Sequence, residues 1–148
     1  MNIKIVETNK KDYLDLLLLA DEQENMIDLY LDRGTLFTLY DGGELRSVCV
    51  VTDEGGGNFE IQNLATYAQY QGRGYGRSLI NHVCEYYKGM GSTMLVGTGD
   101  SPLTIPFYER SGFTLSHRIV NYIVDHYDKP IFEAGVQLKD KVYLKRSL

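Results

Sequence analysis

Residues 71–76 read Gln-Gly-Arg-Gly-Tyr-Gly and are followed by Arg77. Closely spaced glycines let a backbone bend sharply and let a bulky anion come close. A helix that starts at such a loop leaves its first N–H groups without partners and carries a partial positive charge there. Together these features make a cradle for phosphate or pyrophosphate. Arg73 and Arg77, four residues apart, could each add charge at that end. Two other phosphate loops fit less well. A dinucleotide fingerprint needs G-x-G-x-x-G in a parallel β-α-β unit, whereas here the glycines alternate after strands that read as antiparallel. A Walker loop ends in Gly-Lys-Ser/Thr, which is absent. Taken alone, the six residues fit a plain turn that caps a helix equally well.

The elements around the loop decide what it can do. Residues 2–6 alternate polar and apolar as a strand does, and Asn9 can cap the next element. Residues 12–20 read as a helix, with Tyr13, Leu16, Leu17 and Ala20 on one face, and 22–32 as a second helical stretch ended by Gly34. β-Branched and aromatic residues at 35–40 and 45–52 flank Asp41-Gly42-Gly43 as a hairpin, and 59–66 adds a third strand. After the loop, Leu79, Ile80, Val83, Cys84, Tyr86 and Tyr87 form a helical stripe that Gly89 and Gly91 stop. Residues 93–98 read as a short buried strand, 103–110 as a short helix stopped by Gly112, 113–124 as β-prone, and 142–145 as a last strand. Residues 125–141 give no clear period. The expected order is β-α-α-β-β-β-α-β-α-β. This is an α/β (α+β) chain with a mixed, mostly antiparallel sheet of six or seven strands and about four helices.

At 148 residues the chain is long enough for one domain with a proper core. We expect a single domain over 1–148, with 125–148 as a less regular C-terminal extension. A net charge of −5 argues against a nucleic-acid footprint. It weakly favours an amine or cationic partner, or simply serves solubility. The longest apolar run, 16–20, is too short to span a membrane, and no signal peptide is evident. Cys49 and Cys84 sit in apolar runs without metal-ligand spacing. Two such thiols suit a reducing cytoplasm, and no metal site is expected.

Placed after a strand and before a long helix, Gln71, Gly74 and Gly76 match the Gln/Arg-x-x-Gly-x-Gly/Ala loop of the GNAT superfamily of N-acyltransferases. Residues 106–113, Pro-Phe-Tyr-Glu-Arg-Ser-Gly-Phe, match that family's second signature, Phe-Tyr-x-x-x-Gly-Phe. The chain resembles this family from about residue 3 to about residue 120. The resemblance implies a GNAT-like fold and direct transfer of the acetyl group of acetyl-CoA to a primary amine of a small molecule or peptide. Backbone groups of Leu64, Ala65 and Thr66 would lie along the pantothenate arm, as in strand addition. Gln71, Gly72, Arg73, Gly74, Tyr75, Gly76 and Arg77 would hold the pyrophosphate. Tyr108 matches the tyrosine that often protonates the departing thiolate; its alternative is to pack against the cofactor.

Glu60 is the candidate base. It is expected to share a strand face with Gln62, with Asn63 on the other, and its alternative is a solvated carboxylate. The family often has an Asn about seven residues before the tyrosine; this chain has Gly99-Asp100-Ser101-Pro102, so Asp100 or Ser101 would have to substitute. Residues 127–136 go beyond the common core and could fold over the acceptor side, where Glu133 could meet an amine. Acidic residues at 21, 22 and 24 could attract a cation. The acceptor stays open among polyamine-like molecules, amino acids, aminoglycoside-like compounds and protein amines. The alternatives to an enzyme are a non-catalytic acyl-CoA-binding or sensor module, and a nucleotide-binding protein of another fold. A homodimer is possible.

Overall fold

The computed structural model describes residues 1–148. Its strands are β1 (Asn2–Val6), β2 (Thr35–Asp41), β3 (Glu44–Gly55), β4 (Asn58–Thr66), β5 (Thr93–Gly99), β6 (Thr114–Ile119), β7 (Ile131–Glu133), β8 (Val136–Leu138) and β9 (Lys141–Ser147). The helices are α1 (Leu14–Ala20), α2 (Glu24–Ile27), α3 (Tyr75–Tyr87), α4 (Thr104–Arg110) and α5 (Tyr122–His126). Seven strands form one sheet in the order β1-β2-β3-β4-β5-β9-β6, and β7 and β8 form a separate hairpin. All neighbours in the large sheet are antiparallel except β4 and β5, which are parallel.

The sheet has an apolar cluster on each face. On one face α3 lays Leu79, Ile80 and Val83 against Phe37, Cys49, Val51, Ile61, Met94 and Val96. On the other, α1 and the segment after it bring Leu16, Leu17, Ile27 and Leu31 onto Leu36, Val48, Val50 and Ala65. Each central strand therefore alternates between the two clusters: Val50 belongs to one and Val51 to the other.

Three expectations need correction. The helical stretch at 22–32 is a short α2 followed by turns that end where the Gly34 amide bonds the Tyr30 carbonyl. Lys10 fixes that turn, because its ammonium donates to the carbonyls of Leu31, Asp32 and Gly34. The β-prone run at 113–124 divides into β6 and α5. Asn121, at φ 60°, breaks the extended path, and its amide is taken by Asp140 Oδ1. The unreadable stretch 125–141 holds the β7–β8 hairpin, turned by Ala134 and Gly135 at positive φ.

The feature that creates the site is the end of the β4–β5 pairing. Register runs from Asn58↔Thr93 to Ile61↔Val96 and then stops, although both strands continue. At the closed end the Gly57 carbonyl accepts two amides, Ser92 N at 2.8 Å and Thr93 N at 3.2 Å. At the open end the β3–β4 register slips: Val51 faces Ile61 but Val50 faces Asn63, so Gln62 is an extra, bulged residue. A bulge bends and twists its strand, and β4 leaves β5 where this one sits.

The closed end is sterically tight. A Cβ on Gly91 would run into the Gly57 carbonyl oxygen, with Phe59 Cε2 only 2.8 Å away. Gly91→Ala is therefore expected to cost about 1–3 kcal/mol by overpacking. A urea midpoint lowered at unchanged m-value would confirm it; an unshifted midpoint would mean that this corner yields freely.

Candidate active site

A cavity of about 460 Å³ fills the opening between β4 and β5. Its walls carry Glu60–Thr66 from β4, Val96–Gly99 from β5, Tyr108 from α4, Gln71 from the glycine loop, and Lys141 and Tyr143 from β9. Tyr108 packs in the α3-side cluster. Glu60 lies on the opposite face of the sheet, since its register partner is Thr52 while Val51 and Ile61 face α3. Both residues line one cavity, so the cavity passes through the sheet.

At one end is the glycine loop. Gly72 and Gly74 adopt φ of 77° and 86°, and a Cβ on either would meet nothing within 4 Å. The space over the loop is thus open, and α3 begins at Tyr75 with no side chain capping its free amides. Gly76 differs: a Cβ there would stand 3.2 Å from Phe107 Cζ, so this glycine also lets α3 meet α4 closely. Gln71 Nε2 donates to the Thr66 carbonyl at 3.2 Å and ties the loop to the end of β4. Tyr75 points inward and bonds Asp41 Oδ2 at 2.7 Å. Arg73 lies 5.5 Å from the Tyr70 ring centre, near the loop mouth. The Arg77 guanidinium instead donates to the Arg110 carbonyl at the end of α4, leaving its backbone at the loop. Leu64 packs toward α3, Ala65 is buried on the α1 side, and the Thr66 hydroxyl meets Ser47 Oγ at 2.9 Å. Beyond Ile61 the β5-facing edge of β4 has no neighbouring strand.

In the middle, Tyr108 is buried between Phe107 and Phe113, whose rings meet it edge-on at 5.1 and 5.7 Å. Its hydroxyl forms no hydrogen bond within the protein, and burial pushes its pKa above the ordinary tyrosine value, with Cys49 adding to the effect. Across the opening, Glu60 is 6% exposed and has no hydrogen-bond or ion-pair partner. Burial raises its pKa; Lys141 opposes the shift, Glu54 adds to it and Arg33 opposes it more weakly.

Asn63 departs from strict alternation. The bulge at Gln62 puts it on the same face as Glu60, where its Nδ2 donates to the Leu17 carbonyl at 3.0 Å and to the Tyr30 hydroxyl at 3.1 Å. Tyr30 donates its own proton to Asp21 Oδ2 at 2.8 Å, and Tyr127 donates to Asp21 Oδ1 at 2.6 Å. The chain of bonds links β4, the α1–α2 turn and the arm after α5. Gln23 adds to the junction by accepting the Asp128 amide at 2.9 Å.

The arm spanning α5, β7 and β8 sits against the far end of the cavity, where Tyr122, Tyr127, Ile131, Glu133 and Leu138 line it. Glu133 accepts the Ser101 hydroxyl, whose oxygen also takes the amides of Leu103 and Thr104 at the start of α4. Asp100 accepts the Lys139 amide at 2.8 Å and bonds Asp140 through its own amide. Asp100 and Ser101 are therefore occupied in holding the arm and α4. His82, His117 and His126 do not line the cavity. Lys141 and Tyr143 are cavity residues that the sequence reading misses. A signal exists in Gly97 and Gly99, spaced two apart on one strand face: a Cβ on Gly97 would strike Lys141 Cε, and one on Gly99 would come 2.6 Å from Leu138 Cδ1.

Comparison with known proteins agrees with this architecture. Residues 4–113 match the model of the Acetyltransferase (GNAT) family. The chain is 34% identical over 146 residues, 97% of its length and 94% of the relative's, to the uncharacterised N-acetyltransferase YvbK of Bacillus subtilis (strain 168). Among solved structures, it is similar to a GNAT family acetyltransferase from Elizabethkingia anophelis with acetyl-CoA bound. That match has TM-score 0.94 and 29% identity, covering 99% of this chain and 97% of the other. A Bacillus subtilis acetyltransferase in complex with CoA superposes with TM-score 0.91 at 34% identity, covering 99% and 98% of the two chains. The chain belongs to the GNAT acetyltransferase family.

The Tyr127–Asp21 bond is expected to hold the arm closed. In Tyr127→Phe, limited proteolysis should cut within 128–137 faster while the global unfolding midpoint moves little. An unchanged cleavage rate would mean that the Glu133–Ser101 and Asp100–Asp140 contacts suffice.

Proposed function

We propose that this family member transfers the acetyl group of acetyl-CoA to a primary amine by direct attack, using the through-sheet cavity. The observation that carries this reading is that one cavity holds two unpartnered groups on opposite faces of the sheet, the Tyr108 hydroxyl and the Glu60 carboxylate. The open loop at Gly72 and Gly74 and the uncapped start of α3 suit a pyrophosphate, with the amides of 72–77 as donors and Arg73 adding charge. The unpaired edge at Leu64, Ala65 and Thr66 suits the amide-bearing arm, which would extend the sheet there. Acetyl-CoA supplies the activated thioester carbonyl.

The chain's own residues manage the protons. The transfer forms an N–C bond and breaks a C–S bond. Glu60, directly or through a water, takes the proton that the amine must lose. Its burial favours the neutral acid, so it is a stronger base than an exposed carboxylate. Tyr108 stays protonated at neutral pH and gives its proton to the departing thiolate. Cys49 and Cys84 are buried and unpaired and take no part. The same free thiols support a cytoplasmic setting. No helix is long and apolar enough to cross a membrane. The net charge of −5 disfavours nucleic acid as partner. β6, exposed along its whole length at the sheet edge, is where a homodimer would form.

Calorimetric titration with acetyl-CoA tests the donor site. Wild type should bind, and Gly74→Glu, which puts a carboxylate over the loop, should lose at least about tenfold in affinity while circular dichroism shows it folded. Equal binding by both would remove the loop from the site. The pH profile of kcat/KM tests the proton carriers. Because Glu60 titrates above the ordinary carboxylate value of 4.5, activity should fall as pH drops through its raised pKa. Glu60→Gln should lose that limb and about 10²-fold in rate, and Tyr108→Phe should lose a similar factor. A Gln variant that keeps both rate and limb would exclude Glu60 as base.

A further inference from the structure

The acceptor end of the cavity carries an uncompensated charge. Arg33 and Glu54 pair at 2.9 Å and cancel. Beyond that pair the walls carry Asp21, Glu22, Glu60 and Glu133 against a single cation, Lys141. Two of these carboxylates are oriented by neutral donors. Asp21 takes the hydroxyls of Tyr30 and Tyr127, and Glu133 takes that of Ser101. A hydroxyl fixes a carboxylate in place but does not neutralise it. The Tyr30 and Tyr127 protons stay on their oxygens, since burial and Asp21 both raise those pKa values. Lys141 already rests between the rings of Tyr122 and Tyr143, with its ammonium 4.7 and 5.0 Å from their centres.

Two further groups point to what is missing. Glu60 is more than nine-tenths buried, lines the cavity and has no partner. Asn63, 3% exposed, lines the same cavity, and its Oδ1 receives no hydrogen bond although both Nδ2 bonds are made. Glu60 lacks a charge partner and Asn63 Oδ1 lacks a hydrogen-bond donor, and a protonated amine is both. A low-dielectric cleft with walls of one sign concentrates ligands of the other, and tyrosine faces favour cations as well.

We propose that the acceptor is an amine with at least one further cationic group, an alkane diamine or a linear polyamine. The reacting nitrogen faces Glu60, and the distal ammonium sits toward Asp21, Glu22 and Glu133. This rests on the acetyltransferase reading above. It disfavours amino acids, whose carboxylate would add to the negative excess and find only Lys141.

The test uses three acceptors of equal chain length: 1,4-diaminobutane, butylamine and 4-aminobutanoate. Steady-state rates are measured with acetyl-CoA on the full chain. We expect kcat/KM for the diamine to exceed that for butylamine by at least about tenfold, with the aminobutanoate lowest. Added salt should shrink the diamine's advantage. Glu133→Gln and Glu22→Gln should each move the diamine-to-butylamine ratio toward one; Glu22 has no internal partner, so its variant bears no folding risk from a lost bond. If the wild type does not distinguish diamine from butylamine, or prefers the aminobutanoate, the proposal is overturned. If acetyl-CoA binds but none of the three is turned over, calorimetry on the CoA-saturated protein decides. Tighter binding of the diamine than of butylamine upholds the proposal, and no difference overturns it. Failure of the folded protein to bind acetyl-CoA at all would instead overturn the acetyltransferase reading, and this inference with it.

Discussion

The site depends on two adjacent strands that stay paired over a short stretch, from Asn58↔Thr93 to Ile61↔Val96, and then part. β4 and β5 are locked at one end, where the Gly57 carbonyl holds the amides of Ser92 and Thr93 and Gly91 leaves no spare room. They are released at the other by the bulge at Gln62. A parted pair inside a sheet leaves backbone groups without partners, which costs free energy unless something satisfies them. The protein keeps this opening because the rest of the sheet holds both strands from outside. β3 stays paired with β4 to Thr66, and β9 with β5 to Gly99. The opening is thus built into the sheet, with each parted strand still paired along its outer edge.

Both faces of the sheet line one cavity because the opening passes through it. The α3 face supplies the uncapped helix start, the open loop glycines and the Tyr108 hydroxyl. The other face supplies Glu60 and Asn63. Buried and half-buried polar bonds hold this face in place: Asn63 to Leu17 and Tyr30, Tyr30 and Tyr127 to Asp21. The Tyr127–Asp21 bond joins residues 106 positions apart in the chain, so this part of the cavity wall needs the arm after α5 to fold back.

Much of the α3 side of the cavity is legible in the amino-acid sequence alone. The loop at 71–76, the stripe of α3, the antiparallel run of β2, β3 and β4, and the Phe-Tyr-x-x-x-Gly-Phe helix end are local patterns, set by glycine freedom and by the strand and helix periods. The acceptor side is legible only in pieces. Glu60 and Glu133 can be named, but Lys141 and Tyr143 cannot, because they reach the cavity through a non-sequential pairing of β9 with β5. Strict alternation puts Asn63 on the wrong face because a bulge leaves no reliable trace in composition. Residues 113–124 read as one β-prone run because the break at Asn121, at positive φ, rests on a bond to Asp140, nineteen positions away.

The amino-acid sequence by itself determined the class of fold and the glycine-rich loop that precedes its long helix. Those depend on short-range preferences, in which a residue's neighbours within a turn or a strand settle its conformation. The tertiary structure decided which titratable side chains share a cavity, which face of the sheet each occupies, and which charges remain without partners. These are long-range matters: charge balance and access depend on strand register and on an arm that returns from the far end of the chain. No local pattern constrains either one.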